Sequence, residues 1–231
     1  MKIWSRIGLG CSLFCKLFRV FWQLLRGAWR VSRLPKPMVS IFGGAKLRQE
    51  DVYFAQAHTF AGRLAEANIS VLTGGGPGAM QAASCGAYHA QLGNGESIGI
   101  SVKDLGEAKN PCTHHFLELD YFFARKWLLT RYSSAFVVFP GGYGTLDELA
   151  EVLTLIQTKK LKPVPIVLVG REYWGPFVDW LCDETLKHGL ISQEAMKMFT
   201  LTDDLDQVFH IIRDECRRCM QEGVDDHDKL A

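Results

Sequence analysis

The chain has 231 residues, 48% of them hydrophobic and 22% charged, enough for one substantial α/β domain with a full core and no wholesale disorder. Its net charge of +1 conceals an asymmetry: residues 1 to 36 carry eight of the 26 basic residues and no acid, so the other 18 face all 25 acids and residues 37 to 231 sum to −7. A body this acidic is a poor nucleic-acid surface, and no nucleic-acid partner is expected.

In the first 34 residues, Lys16, Arg19, Gln23, Arg26, Arg30 and Arg33 recur at spacings of three and four, a polar stripe on one helix. Ile3, Trp4, Ile7, Phe14, Phe18, Phe21, Trp22, Leu25 and Trp29 fill the wide remainder. Lys16 interrupts what would otherwise be a signal-peptide core, and no small-residue cleavage site follows. The longest uncharged run, Ile7 to Cys15, is too short to span a bilayer. Two readings stay open. The helix lies in an anionic membrane surface with Trp at the interface, peripheral to an inner membrane, or it is an accessory helix packed on the domain or in a subunit interface. Leu34-Pro35-Lys36-Pro37 ends it, because each proline disfavours helical geometry at its predecessor. The expected organisation is an N-terminal helix over 1–35, a folded body over 38–222 and a flexible tail over 223–231.

From Met38 short apolar runs alternate with amphipathic segments. Strands are predicted at Val39–Phe42, Ser70–Thr73, Ser97–Val102, Phe116–Leu119, Ala135–Phe139 and, as the last, Pro165–Val169. Helices are predicted from about Glu50 to Ala67, up to Gln91, and over Tyr121–Tyr132, Thr145–Thr158, Pro176–His188 and Leu205–Gln221. Strands alternating with helices imply a Rossmann-like, doubly wound parallel sheet covered on both faces, in a single domain.

Seven cysteines are scattered, with Cys11/Cys15 and Cys216/Cys219 as the close pairs. An odd count without an export signal fits a reducing cytoplasm. Cys216-Arg-Arg-Cys219 is half of a zinc pattern whose other half is missing, so no metal is expected.

Three glycine turns follow predicted strands: Gly43-Gly44, Gly74-Gly75-Gly76-Pro77-Gly78 and Gly141-Gly142-Tyr143-Gly144. Ligands of such sheets bind outside the carboxyl ends of the strands. Glycine lets the backbone approach an anion closely, the first N–H groups of a helix have no partner within it, and Thr145 adds a hydroxyl: together, a phosphate site. Gly74-x-Gly76-x-x-Ala79 nearly matches a dinucleotide fingerprint, but the acid for a ribose hydroxyl is missing, as is a Gly-Lys-Ser/Thr ending. A nicotinamide oxidoreductase and a nucleoside triphosphatase are thereby disfavoured. Asp147, Glu148 and Glu151 could simply favour the helix dipole. Yet a carboxylate beside a phosphate site repels an anion, and suits a ligand whose far end becomes cationic, as a ribose does on losing its base. Glu148, Glu151 and Thr154 fall on roughly one helical face. Arg125 and Lys126 supply cations at the same sheet edge, Arg as a bidentate clamp and Lys as a point charge.

Pro-Gly-Gly-Tyr-Gly-Thr-Leu-Asp-Glu, the Arg125-Lys126 pair and Thr73-Gly-Gly-Gly-Pro-Gly-Ala-Met80 occur in the order that resembles the LOG (Lonely Guy) family of phosphoribohydrolases, long mislabelled as lysine decarboxylases. The resemblance covers residues 38 to about 215. It implies hydrolysis of the N-glycosidic bond of a nucleoside 5′-monophosphate (AMP or a cytokinin riboside 5′-monophosphate) to free base and ribose 5-phosphate, without a cofactor, in a homodimer or larger homo-oligomer. By motif it makes Arg125 and Glu148 the catalytic pair. Gly74, Gly75, Gly76, Met80, Lys126, Gly141, Gly142, Tyr143, Gly144, Thr145, Glu151 and Thr154 would contact substrate, as would Glu107, 18 positions before Arg125. Phe122-Phe123-Ala124 stand where plant-type members have Met-His-x before the Arg-Lys pair, a departure that looks like a bacterial subgroup and bears on base preference. The alternative is a carrier of the same fold that binds a nucleotide or nucleotide-like cofactor without cutting it, as molybdenum-cofactor carriers related to this family do.

Overall fold

The apolar runs that end in glycine turns become the strands of one parallel sheet. The structure is a computed structural model that describes residues 2–105 and 109–221, with side chains from residue 14 onward. Its strands are β1 Met38–Phe42, β2 Ser70–Thr73, β3 Ser97–Val102, β4 His115–Leu119, β5 Ala135–Val138, β6 Ile166–Val169 and β7 Thr200–Thr202, in the order β4-β3-β2-β1-β5-β6-β7. All neighbours are parallel. The helices are α1 Lys2–Val31, α2 Val52–Glu66, α3 Ala79–Tyr88, α4 Phe122–Arg131, α5 Tyr143–Gln157, α6 Arg171–Trp180, α7 Gln193–Met196 and α8 Leu205–Gln221.

Because successive strand residues point to opposite faces, each strand feeds two cores. Val39, Ile41, Val71, Ala135, Val137 and Val167 pack beneath α2, α3 and α8. Met38, Phe42, Leu72, Ile98, Phe136, Val138 and Leu168 pack beneath α4 and α5, with Val31 of α1 and Trp174 of α6 closing that side. Phe42 and Phe136 stack at 5.7 Å between ring centroids, both essentially buried. Removing either ring would cost about 3–5 kcal/mol. The doubly wound expectation is met. The order reverses between β1 and β5, the crevice where ligands of this architecture bind. Register pairs Phe42 with Val138, so the turns after β1 and β5 leave the sheet at the same height.

Three features depart from the expectations. Val169 does not end the last strand: Thr200–Thr202 adds β7 beside β6, with Val167 opposite Thr200. Three residues are too few to show an alternation. The helix expected to begin at Pro176 begins at Arg171, five residues earlier, where Gly170 at φ 112° turns the chain, and it continues as a π-helical turn over Leu181–Leu186. Cys85 and Cys112 form a disulfide across 27 residues, which the reading of a reducing cytoplasm did not anticipate; such a separation is invisible to spacing rules. The polar stripe of α1 is used in part against the domain, as the accessory-helix reading expects. Gln23 donates to Asp120 (2.6 Å) and accepts from its backbone N–H (3.1 Å), and Arg19 reaches the same carboxylate at 2.6 Å. Tyr132, at the C-cap of α4, donates to the Ala28 carbonyl, and Gly27 lies flush on Leu128. The second half of α1 is an accessory helix on α4. Among the described residues no helix is long and apolar enough to cross a membrane. The expected tail, 223–231, and Glu107 lie outside the described residues.

Candidate active site

Three glycine turns interlock at the crevice between β1 and β5. Phe139 N–H donates to the Phe42 carbonyl, Gly44 N–H to the Pro140 carbonyl at 2.9 Å, and Ala79 N–H to the Gly44 carbonyl at 3.0 Å. The backbones run so close that side chains would not fit. A Cβ on Gly44 would stand 3.1 Å from Gly141 Cα, and one on Gly78, at φ +67°, would overlap the Gly44 carbonyl. Gly75, at φ +72°, donates its N–H to Thr73 Oγ1 (3.1 Å), which in turn bonds Ser84. Gly76 is buried in the same turn. The Gly75 carbonyl accepts from the N–H of Asn110.

α5 starts at Tyr143 with Gly142 at its N-cap and no capping side chain, so its first N–H groups point into the crevice without partners in the helix. Thr145 is buried with its hydroxyl against Gly141. Gly142 and Gly144 have open space where a Cβ would stand, and Tyr143 is 92% exposed. Tyr173 of α6 donates its hydroxyl to the Gly141 carbonyl and fixes that peptide.

Arg125, on the first turn of α4, and Glu148, on the second turn of α5, meet here. Arg125 Nη2 donates to Glu148 Oε1 at 2.5 Å, and both residues are buried. The guanidinium lies 3.4 Å from where a Gly74 Cβ would be, beside the sulfur of Met80, so the second glycine turn and the ion pair form one wall. The Phe122 ring sits 5.6 Å from the guanidinium carbon. Arg125 Nε is buried and has no acceptor in the protein. α4 is held in place from its far end, where the Leu129 carbonyl accepts from Ser40 of β1 (2.9 Å) and from Ser133 (2.7 Å).

Burial raises the Glu148 carboxyl above its ordinary 4.5; Arg125 opposes the rise without cancelling it. One turn further out, Lys126 Nζ reaches Glu151 at 2.5 Å and Asp147 at 2.9 Å. Burial alone would lower the Lys126 pKa, but Glu151 and Asp147 together raise it, so this ammonium stays charged. Among the predicted residues, Gly74, Met80, Arg125 and Glu148 therefore share one wall, with Gly141 and Thr145 at the adjoining helix start and Lys126 and Glu151 beside them. Thr154 is exposed farther along α5. The sequence marked Phe122 as bearing on base preference, and its ring lies beside Arg125; it gave Tyr173, which arrives from 32 residues beyond Gly141, no contact with the site. Among the described residues no group of His, Cys, Asp and Glu could hold a metal ion.

The chain is similar to proteins of known name. A cytokinin riboside 5′-monophosphate phosphoribohydrolase of Arabidopsis thaliana is 28% identical over 181 residues, 76% of this chain and 82% of that protein. A probable enzyme of the same name from Oryza sativa is 26% identical over 197 residues, 80% of each chain. A pyrimidine/purine nucleotide 5′-monophosphate nucleosidase of Escherichia coli is 27% identical over 179 residues, 74% of this chain but 39% of that protein. Among solved structures, the molybdenum cofactor binding protein of Rippkaea orientalis matches with TM-score 0.54 at 19% identity, over 83% of this chain and 99% of that one. The Moco carrier protein of Chlamydomonas reinhardtii matches with TM-score 0.56 at 19% identity, over 79% and 99%. These two likenesses carry the fold alone. The family model described as "Possible lysine decarboxylase" matches residues 80–212, more than half of the sequence, and the chain belongs to that family, the LOG family.

Proposed function

We propose that this protein is a hydrolase that cleaves the N-glycosidic bond of nucleoside 5′-monophosphates, AMP or a cytokinin riboside 5′-monophosphate, to free base and ribose 5-phosphate. The observation that carries the reading is the buried Arg125–Glu148 pair beside an uncapped helix start. The N–H groups of α5 and the Thr145 hydroxyl bind the 5′-phosphate, as helix N-termini bind anions generally. Held there, the ribose presents its anomeric carbon to Glu148, and attack by water becomes effectively unimolecular. As the C–N bond breaks, its electron pair leaves with the base and positive charge develops on the sugar, which the Glu148 carboxylate stabilises. Water forms the new C–O bond; its proton passes to Glu148, which returns it to solvent and is again a carboxylate, while the departing base takes up one proton from solvent at nitrogen. Arg125 keeps that carboxylate in place, and its Nε donates to a phosphate or ribose oxygen. Lys126 adds positive charge at the phosphate end, moderated by Glu151 and Asp147. The relatives named phosphoribohydrolase and nucleosidase support the same chemistry.

The competing reading is a carrier that holds a nucleotide-like cofactor intact. A carrier has no use for a carboxylate buried next to an anion site, and Glu148 favours the enzyme. Incubating purified protein with a panel of nucleoside monophosphates and separating free base by chromatography decides between them: base release at catalytic turnover is expected, and tight binding without release would establish the carrier. The proposal includes a homodimer or larger homo-oligomer, which light scattering on the eluting protein reads directly.

A further inference from the structure

α1 uses one side of itself on the domain and turns another to solvent. Leu24, Gly27, Ala28 and Val31 sit against α4 and the core. At 100° per residue, Leu17, Phe18, Phe21, Trp22, Leu25 and Trp29 lie round the outer side, each between 50% and 68% exposed. This is a continuous apolar strip, not a scatter of single residues, and surfaces of that kind mark interaction sites. Along one edge of the strip, next to Trp22 and Trp29, come Arg26, Arg30 and Arg33, all exposed. The guanidinium of Arg33 stacks 3.8 Å over the Trp29 ring, so the aromatic boundary between the apolar and cationic sectors is built into the helix.

The charge selects the occupant. Residues 1 to 36 contain no acid. Two copies packed helix to helix would bring the Arg26–Arg30 rows together with no carboxylate on either helix to separate them. An anionic headgroup layer neutralises the same row, while acyl chains receive Phe18, Phe21 and Leu25 and the interface receives Trp22 and Trp29. The helix is 30 residues long but not apolar enough to cross a bilayer; a wide apolar face with a basic flank fits a helix lying in the plane of the surface.

We propose that the outer face of α1 docks the protein on an anionic lipid membrane. This does not depend on the reading of the active site. The test uses the full chain in flotation against vesicles of phosphatidylcholine alone and with about 30% phosphatidylglycerol, at about 0.1 M salt. Binding to the anionic vesicles is expected, with a blue shift of tryptophan emission, little binding to the neutral ones, and release as salt rises. The paired variant Arg26→Gln/Arg30→Gln should weaken partitioning about fivefold for each charge removed. Phe18→Ser/Phe21→Ser/Leu25→Ser should abolish it while circular dichroism and melting stay unchanged, since these side chains are exposed. Failure to float with anionic vesicles overturns the proposal. So does a self-association, seen by light scattering, that the triple variant dissolves, because a second copy then covers the face.

Discussion

Arg125 and Glu148 share a single short hydrogen bond, 2.5 Å from Nη2 to Oε1, across the gap between α4 and α5, and neither side chain is more than a tenth exposed. Such a pair is worth more for placing charge than for stability, since desolvating both ions offsets most of their attraction. Its chemical use is to keep a carboxylate ionised where burial would protonate it. Glu148→Gln preserves shape and a hydrogen bond but removes the negative charge that a cationic sugar needs. Turnover of AMP should fall by about 10²–10⁴-fold, read as free adenine, with the circular dichroism spectrum unchanged. Near-normal turnover would remove Glu148 from the mechanism.

The stability of the pair has its own signature. Arg125→Met leaves Glu148 buried without its cation and should cost about 3–5 kcal/mol, a clear drop in melting temperature. Adding Glu148→Leu to that variant should recover much of the loss, because two apolar side chains need no pairing. A double variant as unstable as the sum of the singles would show that the two residues act independently, contrary to the bond between them.

The raised carboxyl of Glu148 sets a direction for pH. The folded state binds this proton more tightly than the unfolded state does, so the stabilisation is fully present below the unfolded value, near 4.5, and is lost as pH rises through the higher folded value. Across that window the wild type should lose stability relative to Glu148→Gln as pH increases. Activity runs the other way, because the ionised form does the chemistry. The acid limb of kcat/KM, which reports the free enzyme, should lie above 4.5; a limb at or below that value would contradict the environment of Glu148.

The strand pattern was legible because it is local: Val39 to Phe42, Ser70 to Thr73 and Ala135 to Val138 are short apolar runs that lead into glycine turns. The glycine turns and the acid after them carried the site for the same reason, since Gly141 to Glu148 are consecutive and their phosphate geometry is a property of one strand–helix junction. What escaped was made by contacts between distant segments. Thr200–Thr202 becomes a strand only because β6 offers an open edge. Tyr173 enters the site through a hydrogen bond to a backbone carbonyl that no residue pattern announces. The contacts of Arg19 and Gln23 depend on Asp120, about a hundred residues away, so helical periodicity gave the stripe but not the carboxylate that it meets.

The two glycines that open α5 should behave differently on substitution. A Cβ on Gly141 would run into the Thr145 hydroxyl and the Gly44 N–H, whereas one on Gly142 meets nothing within 4 Å. Gly141→Ala should therefore destabilise the fold by about 1–3 kcal/mol through overpacking. Gly142→Ala should leave the melting temperature unchanged, its φ of −93° being open to any residue, yet place a methyl where a phosphate would approach the helix start. Its expected effect is a KM for AMP raised about tenfold or more, equivalent to losing one good hydrogen bond to a charged group. An unaltered KM would move the phosphate away from this helix.

Asp120 ties α1 to the domain, and its removal should loosen the helix without opening the core. Its carboxylate, 15% exposed, takes Arg19 at 2.6 Å, Gln23 at 2.6 Å and Lys103 at 3.2 Å. Burial alone would raise the Asp120 pKa, but Gln23, Lys103 and Arg19 together hold it below the ordinary 3.8. Its contribution is accordingly present above that value and lost as pH falls through the lowered one. Asp120→Asn discards both cationic contacts. Because Arg19 is largely exposed the loss should be modest, about 1–2 kcal/mol. Hydrogen exchange should report faster opening of residues 14–31 while β1 and β5 keep their protection. Equal loss of protection in the sheet would mean that α1 is part of the folding core and not an appended helix.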